Sequence, residues 1–224
     1  MGIERQLTPR ERWISAAEVA VGAFIVIGHN VFHIVPNEVP ILFAFFWISL
    51  RLRTGRWRAE DLRRPKSWGK TVLMAIAAAA VLQLGSELVI QPLANHIWHQ
   101  PEQVSSVFAK STLNWPLALR NLAIVWTFAA LGEEVSYRGY LLTRAADLGN
   151  RSELAYLAAM LYVAVLFGFA HFYKGPAGVL DSTYSGVVLG SVYLLSGRNL
   201  WASILAHGIS DTFAVVVVFL GWAN

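Results

Sequence analysis

The sequence predicts an all-α protein: a polytopic bundle of about seven transmembrane helices (6–8), with its N-terminus on the cytoplasmic side. Three observations predict it. Of 224 residues, 56% are hydrophobic and only 14% charged, whereas a soluble domain carries about a quarter charged. Apolar runs recur at the roughly 20-residue length that a helix needs to cross a bilayer. Lys and Arg concentrate in alternate connections, as the positive-inside rule requires.

The N-terminal tail, "MGIERQLTPRERW", is polar and carries Arg5, Arg10 and Arg12. It lacks the apolar core and small-residue cleavage site of a signal peptide, so the first apolar span is expected to be retained. Gln6 stands where a myristoylation signal requires Ser or Thr. Full-length spans are expected at residues 13–35, 71–93, 117–143, 153–173, 177–196 and 200–222. A shorter run, "VPILFAFFWISL" (39–50), crosses only if Arg51 and Arg53 snorkel.

Charge decides that case. The loop 51–70 holds Arg51, Arg53, Arg56, Arg58, Arg63, Arg64, Lys66 and Lys70. It and the basic tail belong on one side, so the short run must cross or re-enter. Continuing the alternation puts 94–115 outside, where Lys110 is the only Lys or Arg. Arg144, Arg151 and Arg198 then fall in the cytoplasm, with Lys174 and the C-terminus outside. The pI near 9.6 is accounted for by these loops, with no nucleic acid as partner. Cysteine is absent, which excludes disulfides, thiol chemistry and Cys-ligated metals. Trp98, Trp115 and Trp201 are expected at span ends, and Gly186 and Gly190 form a small-xxx-small pair.

An ionisable residue within a span costs about 2.5–3.5 kcal/mol on insertion scales, so each one calls for a reason. They are Glu18, Glu87, Glu133, Glu134, Arg138, His171, Asp181, His207 and Asp211, with His29 and His33 in the first span. Glu134 and Arg138 are four apart, acid first, the favourable order for a helical ion pair. Glu133 is turned about 100° away and meets Tyr137, not a charge, four residues on. A carboxylate without a local partner suits a general base. His171 ends an apolar run with Phe167 one turn before it. His207 and Asp211 are again four apart, so the acid can fix the imidazole tautomer. Three polar-bearing spans of this kind are expected to close on one water-filled cavity. Glu18 and Glu87 are expected to be structural or interfacial. His29 and His33, without a nearby acid, are expected to be plain interhelical donors, and His96 and His99 solvated.

"EEVSYR" (133–138) resembles the EExxxR motif of the CAAX prenyl endopeptidase-like (CPBP or Abi) intramembrane glutamic-type proteases. "FGFAH" (167–171) is similar to that family's FxxxH motif, and "HGISD" (207–211) to its HxxxN or HxxxD motif. The three stand in family order, and the resemblance covers about residues 115–217. It implies two parts: N-terminal transmembrane helices with their basic loop over 1–114, and a catalytic helical core over 115–224. It implies that Glu133, with His171, activates the attacking water. His207 and Asp211 would sit at the oxyanion, and Glu134, Arg138 and Phe167 would support the site. Asp211 departs from the asparagine form: an ionised carboxylate cannot donate to an oxyanion. It is protonated, or it orients His207, or it helps to bind a cation.

The expected function is therefore an intramembrane endopeptidase of the bacterial inner membrane. It would act without a cofactor on a membrane-associated peptide or protein. Prenylated substrates are not carried over, because the short basic loops and compact size resemble bacterial proteins. One alternative is a zinc peptidase using Glu133, His171, His207 and Asp211, although the chain lacks HExxH. Another is a non-enzymatic transporter, immunity or scaffold protein, although the paired broken helices of inverted-repeat transporters are lacking. GxSxG, Walker A and GxGxxG are absent.

Overall fold

The computed structural model describes residues 6–99 and 112–222. Among them are seven long helices and no strand. They are α1 (Pro9–Asn30), α2 (Glu38–Thr54), α3 (Trp68–Trp98), α4 (115–147), α5 (Glu153–Phe169), α6 (Gly175–Leu195) and α7 (Leu200–Phe219). Polar side chains start most of them. Thr8 and Glu11 form a reciprocal capping box for α1, while Asn37, Ser67, Asn114, Ser152 and Asn199 cap α2, α3, α4, α5 and α7. Gly55, in the left-handed region at φ 70°, ends α2.

Each expected span overlaps one helix, and the short run 39–50 lies wholly within α2. Four helical stretches are long and apolar enough to cross a bilayer: Pro9–Asn30, Trp68–Trp98, Phe172–Leu195 and Leu200–Phe219. α2 and α5 have 17 residues each, about 25 Å at 1.5 Å per residue, against roughly 30 Å of bilayer hydrocarbon. The span expected to run to residue 173 stops at Phe169, so His171 lies in the turn after α5.

Charged groups gather at one end of the bundle. Buried Asp147 accepts hydrogen bonds from Ser15 (2.8 Å), Arg144 (2.9 Å) and Arg151 (2.6 Å). Arg53 bonds Ser15 at 3.1 Å and pairs with Glu18, which gives Glu18 a structural partner. The basic loop docks on the turn between α6 and α7. There Asn199 donates to the Arg63 carbonyl (2.9 Å), Trp201 to that of Leu62 (3.1 Å) and Arg63 to that of Gly197 (3.0 Å). At the opposite end Leu113 N–H donates to the Phe219 carbonyl at 2.9 Å, and Trp98 lines a groove with Phe169, Phe172 and Pro176. Helix direction therefore alternates along the chain, and the basic connections share one end. Lys110 and the rest of 100–111 lie outside the described residues.

α6 packs closely on α5 through Gly186. A Cβ there would stand 2.7 Å from Ala164 Cα, and one at Gly190 would stand 2.6 Å from Met160 Cγ. The obstacle at Gly186 is backbone, which cannot rotate aside. Gly186→Val is therefore expected to cost about 1–3 kcal/mol by overpacking. Thermal unfolding of the purified variant checks this, and an unchanged Tm would refute it.

The remaining polar residues are placed without drama. Ser86, in a π-helical turn of α3, donates to Asp181 at 2.5 Å, and Gln83 donates to Ser210 Oγ at 2.8 Å. Glu87, His96 and His99 are exposed.

Candidate active site

α4 is the strut of the site. Between Val125 and Leu142 it leaves α geometry for two π-helical segments, Val125–Glu133 and Val135–Leu142. π turns are rare and cluster at functional sites. Hydroxyls occupy some of the carbonyls there: Thr127 donates to Ala123 (2.6 Å), Ser136 to Gly132 (2.7 Å) and Thr143 to Arg138 (3.3 Å). The "EEVSYR" stretch is buried from Glu134 to Arg138, and several of its residues reach a different helix.

Glu134 Oε1 accepts two hydrogen bonds, from Arg138 at 2.8 Å and from His207 Nδ1 of α7 at 2.9 Å. The spacing in the sequence foresees the first and not the second. Ser136 also lies 3.3 Å from the Val39 carbonyl of α2. Arg138 reaches toward the Gly186 carbonyl of α6 at 3.4 Å and lies 4.6 Å over the Phe167 ring. Tyr137 meets that ring edge-on at 5.1 Å.

Phe167 of α5 is 3% exposed and forms the packing centre. His171 lies 4.9 Å and His207 6.2 Å from it, centroid to centroid. His171 Nδ1 is 3.0 Å from the Phe167 carbonyl. A carbonyl only accepts, so Nδ1 carries the hydrogen and Nε2 presents its lone pair. His207 has acids on both sides, with Glu134 at Nδ1 and Asp211 Oδ2 3.5 Å from Nε2. That longer contact leaves the Nε2 side of the ring only loosely engaged.

Glu133 differs from every other acid in the site. No hydrogen bond or ion pair involves it among the described residues. Glu134 and Glu38 also have a buried Oε2 without a hydrogen bond, but Glu134 is held by Arg138 and His207, and Glu38 lies 3.4 Å from His29. Its charged neighbours are His207, Asp211, Glu38 and Glu134. His171 in turn faces His207 and Asp211. The fold thus brings together Glu133, Glu134, Arg138, Phe167, His171, His207 and Asp211. Glu18, Glu87 and Asp181 stay outside this group. Among the described residues no group of three or more His, Asp or Glu side chains is placed as a metal-ligand set.

Residues 114–213 match the sequence model of the type II CAAX prenyl endopeptidase Rce1-like family. The matched stretch runs from the start of α4 into α7. No curated protein and no solved structure matches the chain.

All seven residues of the constellation fall inside the Rce1-like region, and that family is one of proteases. One further group at its edge, Glu38, is missed by sequence reasoning. Glu38, at the start of α2, is 5% exposed and lies beside Tyr137 and Glu133. It also supplies the acid that His29 lacks in the sequence, 3.4 Å from His29 Nε2. Glu38 and Glu133 are 95 positions apart, so no local spacing connects them. The one available signal was an acid in the first turn of an apolar run, which reads as a helix-dipole partner.

Proposed function

We propose that the protein is an intramembrane endopeptidase that hydrolyses a peptide bond of a membrane-associated peptide or protein. The observation that carries this reading is the isolation of Glu133. It is an unpaired, buried carboxylate in a site where every other acid is engaged. In the reaction Glu133 takes one proton of the attacking water, and His171 Nε2 accepts a hydrogen bond from the other. The water oxygen bonds to the scissile carbonyl carbon, whose oxygen becomes the oxyanion. His207, oriented at Nδ1 by Glu134, turns its Nε2–H from the loose contact with Asp211 toward that oxyanion. Glu133 then gives its proton to the amide nitrogen as the C–N bond breaks. The products are a carboxylic acid and an amine, and Glu133 is again a carboxylate.

In this reading all seven helices cross the bacterial inner membrane, with the N-terminus and the basic end of the bundle in the cytoplasm. No metal takes part, so cleavage by the reconstituted protein is expected to continue at full rate in excess chelator. Loss of activity on chelation and its return with zinc would sink the metal-free mechanism. The substrate is identified by trapping: Glu133→Gln, expressed in living cells, is expected to retain membrane proteins that the wild type releases. Mass spectrometry that recovers the same proteins with both forms would count against a peptidase.

A further inference from the structure

Besides the bond between Glu134 and His207, α7 is held against α4 by Trp126. The indole N–H donates to Thr212 Oγ1 at 3.1 Å, and the Thr212 hydroxyl donates in turn to the Gly208 carbonyl at 2.6 Å. The six-membered part of the ring fills the notch over Gly208: a Cβ there would stand 2.5, 2.6 and 2.8 Å from three of its atoms. Those atoms belong to a rigid ring, so any side chain at position 208 has to displace the whole indole. Gly208 and Thr212 directly follow His207 and Asp211 in the chain.

Two fixings one turn apart set both the height and the rotation of a helix. A slip of one residue would shift α7 by about 1.5 Å and turn it by about 100°. That slip takes Thr212 from the indole N–H and Gly208 from under the ring together, and it carries His207 away from Glu134. A tryptophan serving only as packing or as an interfacial anchor needs neither a glycine notch nor a hydroxyl partner. Trp126 is 36% exposed, yet its N–H is spent on Thr212. On the opposite face of α7, Gln83 of α3 donates to Ser210 Oγ at 2.8 Å and to the Ser210 carbonyl at 3.1 Å. The stretch 207–212 is thus gripped from two sides.

We propose that Trp126 is a positioning residue for the reaction: by locking Gly208 and Thr212 to α4, it sets the register in which His207 points at the oxyanion. The inference rests on the reading of His207 as the oxyanion donor. Trp126 and Thr212 stand outside the three sequence motifs, and in this scheme neither touches substrate. His207 Nε2 is only loosely engaged, 3.5 Å from Asp211. The aim of the ring therefore depends on Glu134 at Nδ1 and on where α7 stands. An oxyanion donor acts over about 2.7–3.1 Å, and a misplacement of about 1 Å costs about 10²-fold in rate. A slip of α7 by one residue exceeds that tolerance.

The test uses the full chain in lipid nanodiscs and reads kcat, KM and the proton resonance of His207 Nδ1–H, the signal that His207→Gln removes. Gly208→Ala is expected to lower kcat about 10²-fold with KM within about twofold, and to shift the resonance. Thr212→Val keeps the shape and loses the acceptor, while Trp126→Phe keeps a ring and loses the N–H. Each is expected to lower kcat about tenfold, and Thr212→Ser, which keeps the hydroxyl, to stay within about twofold of the wild type. When Trp126→Ala is combined with Gly208→Ala the added methyl meets no ring. The loss is then expected to equal that of Trp126→Ala alone, which also guards against a misfolded Gly208→Ala. Wild-type kcat in both Thr212→Val and Trp126→Phe overturns the proposal, and so do Trp126→Ala and Gly208→Ala losses that multiply. If the resonance shifts in these variants but the wild type cleaves no peptide, the hold on His207 stands and the peptidase reading falls. If cleavage is robust and indifferent to all of them, only the positioning role falls.

Discussion

Glu133→Gln is expected to lower kcat by about 10²–10⁴-fold, the range that a positioned general base contributes, with little change in KM or in Tm. The amide has the same shape as the carboxylate but cannot take a proton from water. Structurally the change is mild, because Glu133 makes no hydrogen bond or ion pair that the substitution would break. Removing an unpaired acid from a buried site relieves a desolvation cost, so the variant should unfold no earlier than the wild type. Cleavage of a reporter peptide in proteoliposomes, read beside a thermal melt, measures both. Full activity in Glu133→Gln would end the general-base assignment. Joint loss of activity and fold would show that the residue is structural.

Arg138→Ala is expected to act in the opposite way, on stability first. Arg138 is 1% and Glu134 0% exposed, and their carboxylate–guanidinium contact is 2.8 Å. Removing one member of a buried pair leaves an uncompensated charge and costs about 3–5 kcal/mol. The guanidinium also covers the Phe167 ring, so the truncation opens the packing beneath both histidines. The double variant Glu134→Gln with Arg138→Met removes both charges at similar volume and is expected to recover much of the loss. It should not recover full activity, because a neutral amide holds His207 less firmly than a carboxylate does. Equilibrium unfolding in mixed micelles gives the comparison. An Arg138→Ala protein as stable as the wild type would mean that the buried pair has no structural role.

The sequence exposes the one-dimensional parts of this protein and conceals the parts made by contact. Helix positions follow from apolar runs of bilayer length, and the i,i+4 pair of Glu134 with Arg138 follows from the helical repeat. Ordered EExxxR, FxxxH and HxxxD motifs point to the constellation because each lies on or at the end of a different helix. The bond between Glu134 and His207 is different in kind, since it joins residues 73 positions apart. The same holds for Glu38 beside Tyr137, and for Arg53 with Glu18. The π-helical register of α4 is also illegible, because no residue in "VWTFAALGE" announces a five-residue hydrogen-bond step. The apolar run continues past the helix, so the sequence predicts His171 inside a span whereas it lies in the turn after α5.

The anchoring of α4 has a mechanical consequence. Between Gly132 and Arg138 it is fastened to α2 through Val39, to α5 through Phe167, to α6 through Gly186 and to α7 through His207. A rod held on four sides keeps its place while its surroundings breathe. In the proposed reaction the general base therefore sits on a fixed anvil, and a peptide coming from the lipid is brought to it by motion elsewhere. α3 is tied to neighbours other than this rod: Gln83 bonds Ser210 of α7, Ser86 bonds Asp181 of α6, and Tyr184 of α6 bonds the Val81 carbonyl.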